Sequence, residues 1–288
     1  MKYYLGLNSE EEFNFELFDT FSGVGMIRGE NLCINKMQYF TVKEFCDYVT
    51  NYLIYVSNNF YGKDVWYRTA DLVPHQINLL DGCDEKIIDN QYLIGLRGIR
   101  RNLKFIDTYK NELNAFNDAY KINNNLGLLI PYITSVNELK YLKSILNDIG
   151  YTGKLGIMIE MSSIIFMLEE IEKMGIDNYT IGVNDLTTNI LGAKRDLDVY
   201  NINDPAVHKA IKYIVKKVHE FGKEVTLAGY LNKEMFNFAQ DIGVDKINIH
   251  YNEIPLILDV ENKEFYTNIY DSIKNNYKLI KKIRNNNE

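Results

Sequence analysis

The chain has little of what holds small secreted or metal-stapled domains together: three cysteines, four histidines, four prolines and one tryptophan among 288 residues. Cys33, Cys46 and Cys83 are odd in number and lack CxxC spacing, which argues against a disulfide framework and a structural zinc site and fits a reducing cytoplasm. Positive charge is in deficit. Against 39 Asp and Glu there are 32 Lys and Arg, a formal net charge of -7, so the field of the molecule repels phosphate backbones and anionic lipid, and no nucleic-acid partner is expected. Long apolar runs are missing too. Leu126 to Ile133 falls far short of the roughly 20 residues that span a bilayer, so no membrane segment is expected. Met1 to Gly6 has no apolar core with a small-residue cleavage site, hence no secretion signal. No Gly/Ser- or Pro-rich linker and no low-complexity stretch divides the chain.

What is present is ordinary globular material, 46% hydrophobic and 25% charged, close to the length of about 250 residues that an α/β barrel takes. Eight apolar runs recur, each followed by a polar break and a stretch with helical spacing: Tyr3 to Asn8, Gly23 to Glu30, Asp64 to Leu72, Leu126 to Ile133, Leu155 to Met161, Tyr179 to Asp185, Glu224 to Leu231 and Lys246 to Tyr251. Several are apolar on consecutive residues, as strands of a parallel sheet covered on both faces are. Between them, Ser135-Val136-Asn137-Glu138 is a capping box, followed by Val136, Leu139, Leu142, Ile145, Leu146 and Ile149 on one stripe before Gly150. Asp204-Pro205 is an N-cap with proline at the first helical position, opening a stripe of Val207, Ala210, Ile211, Ile214, Val218 and Phe221. The expected fold is one α/β domain over residues 1–288, a (β/α)8 TIM barrel, since the glycine fingerprint of a doubly wound dinucleotide fold is missing. Phe265 to Arg284 reads as a terminal helix packed on the barrel, with Ile269, Ile273, Tyr277 and Ile280 on one face.

In such a barrel the active site lies at the C-terminal ends of the strands, so polar residues that close an apolar run are the informative ones. Arg28, Arg68, Glu160 and Asp185 each do so, and Arg97 and Arg195 follow the third and sixth strands. Charges at the ends of buried strands are costly unless paired or coordinated. Arginine forks fit carboxylate and phosphate oxygens, and two neighbouring carboxylates suit Mg2+, so the set describes a metal-bridged, phosphorylated carboxylate. An internal ring of ion pairs is the alternative. His250 closes the eighth strand and is a candidate general acid or base. His208 and His219 lie off the stripe of their helix and are expected in solvent.

Gly23-Val24-Gly25-Met26-Ile27-Arg28-Gly29-Glu30, Tyr67-Arg68-Thr69-Ala70-Asp71-Leu72, Gly95-Leu96-Arg97-Gly98, Ile157-Met158-Ile159-Glu160 and Ile181-Gly182-Val183-Asn184-Asp185-Leu186-Thr187 occur in one order along the chain. This set resembles the phosphoenolpyruvate (PEP)-binding barrel of the PEP-utilising enzymes, over roughly Ser9 to Pro255. The resemblance implies that Arg28, Arg68, Arg97 and Arg195 grip the phosphate and carboxylate of PEP, that Asn184 helps hold the substrate, and that Glu160 and Asp185 hold Mg2+. A homodimer is implied as well.

Departures from the family pattern matter as much. Where the family has a Cys-Gly pair that handles the proton at the enolate carbon, this chain has Ala228-Gly229, with Tyr230 in place of an acid or amide. The chain begins almost at the first strand, so the family's phosphohistidine and nucleotide-grasp domains are not expected within it. Three functions fit: the PEP-binding half of a phosphotransferase that works with a separate phosphohistidine carrier protein; a Mg2+-dependent lyase or aldolase on a pyruvate enolate, with His250 or Tyr230 as base; or a homologue that binds PEP or a pyruvate-like anion without turnover.

Overall fold

The computed structural model describes residues 1–8, 20–88, 94–250 and 253–257. Eight parallel strands run in sequence order round a closed barrel, the eighth pairing with the first. They are β1 (Lys2–Leu7), β2 (Gly23–Arg28), β3 (Asp64–Arg68), β4 (Leu126–Ile130), β5 (Lys154–Ile159), β6 (Asn178–Gly182), β7 (Val225–Ala228) and β8 (Lys246–His250). Between β2 and β3 lie α1 (Gly29–Lys36) and α2 (Lys43–Asn59); α3 (Pro74–Ile77), α4 (Gly98–Lys104) and α5 (Ile106–Ile122) precede β4. Then come α6 (Val136–Asp148), α7 (Ser162–Ile165), α8 (Leu168–Glu172), α9 (Val183–Leu191), α10 (Pro205–Glu220), α11 (Lys233–Asp241) and α12 (Ile254–Ile257). All eight expected runs carry a strand. The strands end before the runs do, because the last residues of each run turn into the loops that form the mouth.

Local signals act as their chemistry requires. Ser135 accepts from the Glu138 amide at 3.2 Å and Glu138 accepts in return from the Ser135 amide at 3.0 Å, closing the capping box of α6. Asp204 accepts from the Ala206 amide at 2.7 Å at the start of α10. The outer faces of the strands and the apolar stripes of the helices form one core, in which β4 and β6 are buried along their whole length.

The barrel interior is built differently on its two sides. Met26, Trp66, Leu129, Met158 and Ala228 form a separate apolar cluster inside it. Trp66 has room there because two facing residues are glycines: a Cβ at Gly127 would lie 2.7 Å from the indole ring and one at Gly156 would lie 3.1 Å away. The other side is polar, with Asn178, Thr180, Thr226 and Asn248 all buried.

Three expectations need correction or fall outside the described residues. Asp185 does not end β6; the strand stops at Gly182 and Asp185 is the third residue of α9, since Val183 and Leu186 bury their side chains by starting a helix at once. An acid in that first turn also meets the positive end of the helix dipole. His208 is not solvated; its ring stacks on Phe238 of α11 with centroids 3.8 Å apart. His219 is on the surface as expected, paired with Asp245. The terminal segment Phe265 to Arg284 lies outside the described residues. No helix among the described residues is long and apolar enough to cross a membrane.

Gly127→Val is expected to lower stability by about 1–3 kcal/mol, the usual cost of overpacking a filled core. Denaturant unfolding followed through Trp66, the only tryptophan in the chain, measures it; an unchanged midpoint would show that the indole is not wedged against β4.

Candidate functional site at the barrel mouth

The side chains that close the strands meet at one end of the barrel. Arg97, which precedes α4, donates through Nε to Asp71 Oδ1 at 3.0 Å and through a terminal nitrogen to Asp71 Oδ2 at 2.5 Å. The same guanidinium reaches Asp185 with contacts of 3.2 and 3.4 Å, so one planar fork serves two carboxylates. Arg195 adds a 3.0 Å bond to Asp185 from the loop after α9. Burial alone would raise the Asp185 carboxyl, but Arg97 and Arg195 outweigh it and hold the group well below the usual carboxylate range.

Glu160, one residue past β5, is 1% exposed. Its Oε2 accepts from the Tyr132 amide at 2.9 Å, and its Oε1 stands 3.9 Å from Arg68. Burial raises this carboxyl, and the charge of Asp185 raises it further. Gly182 makes the placement possible, because a Cβ there would lie 2.5 Å from Glu160 Oε1. Tyr132 adopts φ 58°, unusual for a residue with a side chain, and its ring lies under the Arg97 guanidinium at 4.4 Å.

Arg68 forms a buried ion pair with Glu30 and points another nitrogen at Met158 Sδ, 3.4 Å away. Arg28 donates to Asn8 Oδ1 at 3.3 Å and sits 2.7 Å from His250 Nε2. Burial, and then the Arg28 guanidinium, keep the His250 imidazole neutral far below its ordinary range, so Nε2 is an acceptor for Arg28. Burial and then the neighbouring Arg68 bring Arg28 itself down to about 10. The Nε groups of Arg28 and Arg68 are fully enclosed and have no acceptor among the described residues. Enclosed donors of this kind call for a ligand or ordered water.

Asn184, in the first turn of α9, receives Tyr200 Oη on its backbone and side-chain oxygens at 3.3 and 3.4 Å. The loop after β7 passes beside it: Gly229 has φ 125°, and a Cβ there would touch the Asn184 amide at 3.4 Å. Ala228 is fully buried next to Gly182 and offers only a methyl group, whereas Tyr230 stands on the surface, 58% exposed, with no hydrogen bond or ion pair among the described residues. No group of three or more His, Cys, Asp and Glu arranged for a metal exists among the described residues. The acidic pair Glu160 and Asp185 would have to draw further ligands from solvent or from a bound anion.

Sequence reasoning missed the partners of the arginines. Glu30 and Asp71 stand inside the quoted motifs, but each pairs with an arginine other than the one it follows, Glu30 with Arg68 and Asp71 with Arg97, so their presence at the strand ends was the available signal and their spacing was not. Glu112 carried none: from α5 it reaches through the wall to accept from Tyr67 Oη at 2.8 Å and the Ala70 amide at 2.6 Å, bracing the loop that carries Asp71. Burial pushes its carboxyl up to about 8.

The family model described as "PEP-utilising enzyme, PEP-binding domain" matches residues 2–263. Among curated relatives, phosphoenolpyruvate synthase of Pyrococcus furiosus is 27% identical over 84% of this chain and 32% of its own length. Phosphoenolpyruvate synthase of Aeropyrum pernix is 25% identical over 86% of the chain and 34% of its own. The chain thus spans about a third of the length of these relatives. Among solved structures, a citrate lyase from Burkholderia xenovorans has the same barrel, with a TM-score of 0.53 at 14% identity over 91% of this chain and 78% of that one.

Arg97→Ala would leave Asp71 and Asp185 buried without their shared partner, which typically costs about 3–5 kcal/mol. Because the folded Asp185 carboxyl is held low, its contribution is present above the unfolded carboxyl range and is lost as pH falls through the folded value. The deficit of the variant should therefore be largest near neutral pH and shrink on acidification, which thermal unfolding at several pH values would measure.

Proposed function

This chain belongs to the PEP-binding domain family of the PEP-utilising enzymes, and from that premise we propose that it binds PEP or a pyruvate-like anion together with Mg2+ and acts as the PEP-binding half of a phosphotransferase. One observation carries the reading: Arg28 and Arg68 stand side by side on β2 and β3, Arg68 disfavours the charge of Arg28, and both have enclosed Nε donors with no acceptor among the described residues. An anion between them would relieve the repulsion and accept both donors. Asp185 and Glu160 present hard carboxylate oxygens from adjacent elements, one held ionised and the other raised by burial and then by its neighbour, a donor pair that fits Mg2+. Bound there, the cation would neutralise charge on the phosphate and carboxylate oxygens.

The protein's own part is positioning. Arg28, Arg68, Arg97 and Arg195 orient the anion, Asn184 lines its pocket, and His250, as a neutral acceptor, aims Arg28. Phosphoryl transfer breaks the P–O bond of PEP and forms an N–P bond on an imidazole of a separate phosphohistidine protein, releasing enolpyruvate, which takes its proton from water. Ala228 supplies none. Tyr230, at the rim, is assigned to the loop surface that such a partner would meet rather than to chemistry.

Calorimetry is expected to give Mg2+-dependent binding of oxalate and PEP. Asp185→Ala should abolish the metal dependence, Arg68→Ala should weaken binding about ten- to a hundredfold through lost charge-assisted bonds worth roughly 1.5–3 kcal/mol, and His208→Ala should change nothing. Wild-type protein that binds neither anion with Mg2+ would reduce the mouth to an ion-pair ring. Radiolabelled PEP incubated with histidine carriers from the same genome then tests transfer. The inert methyl of Ala228 favours a second reading, a ligand-binding homologue without turnover, and binding with no labelled carrier and no proton exchange at pyruvate C3 would select it.

A further inference from the structure

Behind the mouth, one carboxylate joins two elements that the binding machinery relies on. Glu253, 4% exposed just past β8, accepts from the Leu231 amide through Oε1 at 3.0 Å and from the His250 amide through Oε2 at 2.9 Å. The first bond fixes the loop after β7, whose Gly229 lies against Asn184. The second fixes the end of β8, where the His250 imidazole receives Arg28. A space of few atoms is involved: a Cβ at Gly6 would lie 2.6 Å from the His250 ring, so the ring has little latitude on that side.

We propose that Glu253 is a positioning residue, a two-handed clamp that holds the Asn184 wall and the Arg28–His250 wall at the spacing an anion needs. The proposal rests on the anion-binding reading above, and it makes the grip pH-dependent. Both amides require acceptor oxygens, and the ionised carboxyl offers two equal ones; once protonated, its hydroxyl oxygen is a poorer acceptor and its added proton needs an acceptor of its own in a buried place. The charged group facing Glu253 is Arg28, and the titratable neighbour His250 is held neutral. Burial pushes the Glu253 carboxyl up to about 7, although the two amides and Arg28 pull the other way, so the change falls near neutrality. The sign is fixed: the clamp is closed above that value and half-open below it.

Glu253→Gln imitates the half-open state with nearly the same shape, since the amide accepts one bond and turns an NH2 group toward the other donor. Oxalate is the probe, because it stays fully ionised where PEP does not. With Mg2+ present, Glu253→Gln should bind oxalate about five- to tenfold more weakly than wild type at pH 8, and the two proteins should converge at pH 6. Parallel affinity curves with a constant ratio, or identical curves, would overturn the proposal. Amide hydrogen exchange on the ligand-free wild type provides an independent measure: protection at Leu231 and His250, corrected for intrinsic rate, should fall as pH drops through 7, while protection at Ile130 stays level. Protection that does not change with pH would overturn the clamp even if Glu253→Gln fails to fold. Absence of oxalate binding in wild type would sink the anion-binding reading, and the exchange profile would still decide on Glu253.

Discussion

The mouth depends on one guanidinium. Arg97 is shared between Asp71, in the loop after β3, and Asp185, in the first turn of α9, and all three side chains are nearly enclosed. Burying ions is expensive, and an isolated pair would recover little of that cost. Here the planar fork meets both carboxylates at once and leaves few donors unused, so the elements after β3 and β6 are fixed relative to each other by charge-assisted bonds rather than by apolar packing. The effect propagates. Asp185 is kept ionised by Arg97 and Arg195, and its negative charge adds to the burial that raises the carboxyl of Glu160.

Such a charged ring needs a floor that does not move. Beneath it, Trp66 fills the barrel against Gly127 and Gly156 and packs with Met26, Leu129 and Met158, so the arginine wall on β3 rests on apolar contact. The β8 wall rests on polar contact instead. Asn248 lies across Gly25 and Gly6, where added Cβ atoms would come within 2.5 and 2.9 Å of it, and both of its side-chain polar atoms lack a partner among the described residues. Directly above is His250. The apolar contact under β3 and the polar contact under β8 thus differ in kind, and Glu253 joins the end of β8 to the loop after β7.

Much of this was legible in the sequence, for identifiable reasons. Strand positions were fixed by consecutive apolar residues, and α6 and α10 by their caps, because those signals are local and each is satisfied within four residues. Arg28, Arg68, Arg97, Glu160 and Arg195 were found because a charge that ends a buried strand, or follows one, has to be answered by something. What answered them was not legible. Glu112 and Glu253 act across the fold, and nothing in an isolated glutamate on an amphipathic segment tells whether it meets solvent or a buried backbone amide. Asp185 was assigned to the right place in space and the wrong element, since Val183-Asn184 is equally apolar-then-polar as strand end and as first helical turn; the decision came from burying Leu186. The surroundings of His208 are not legible from its own helix, because the ring it stacks on, Phe238, belongs to the next.

Under the proposed function, the balance of charge at the mouth would couple the anion to the cation. Arg28, Arg68, Arg97 and Arg195 are opposed by Glu30, Asp71, Glu160 and Asp185, with His250 neutral. A dianion entering this set alone would find the positive charges largely answered and would have to displace carboxylates from their arginines. Glu160 offers one outlet, since its raised carboxyl readily takes a proton. Glu160 and Asp185 would hold a divalent cation, whose charge would answer these carboxylates and leave guanidinium donors of Arg68 and Arg195 for the anion. Metal and anion are then coupled through shared partners, and by linkage each must raise the affinity for the other by the same factor.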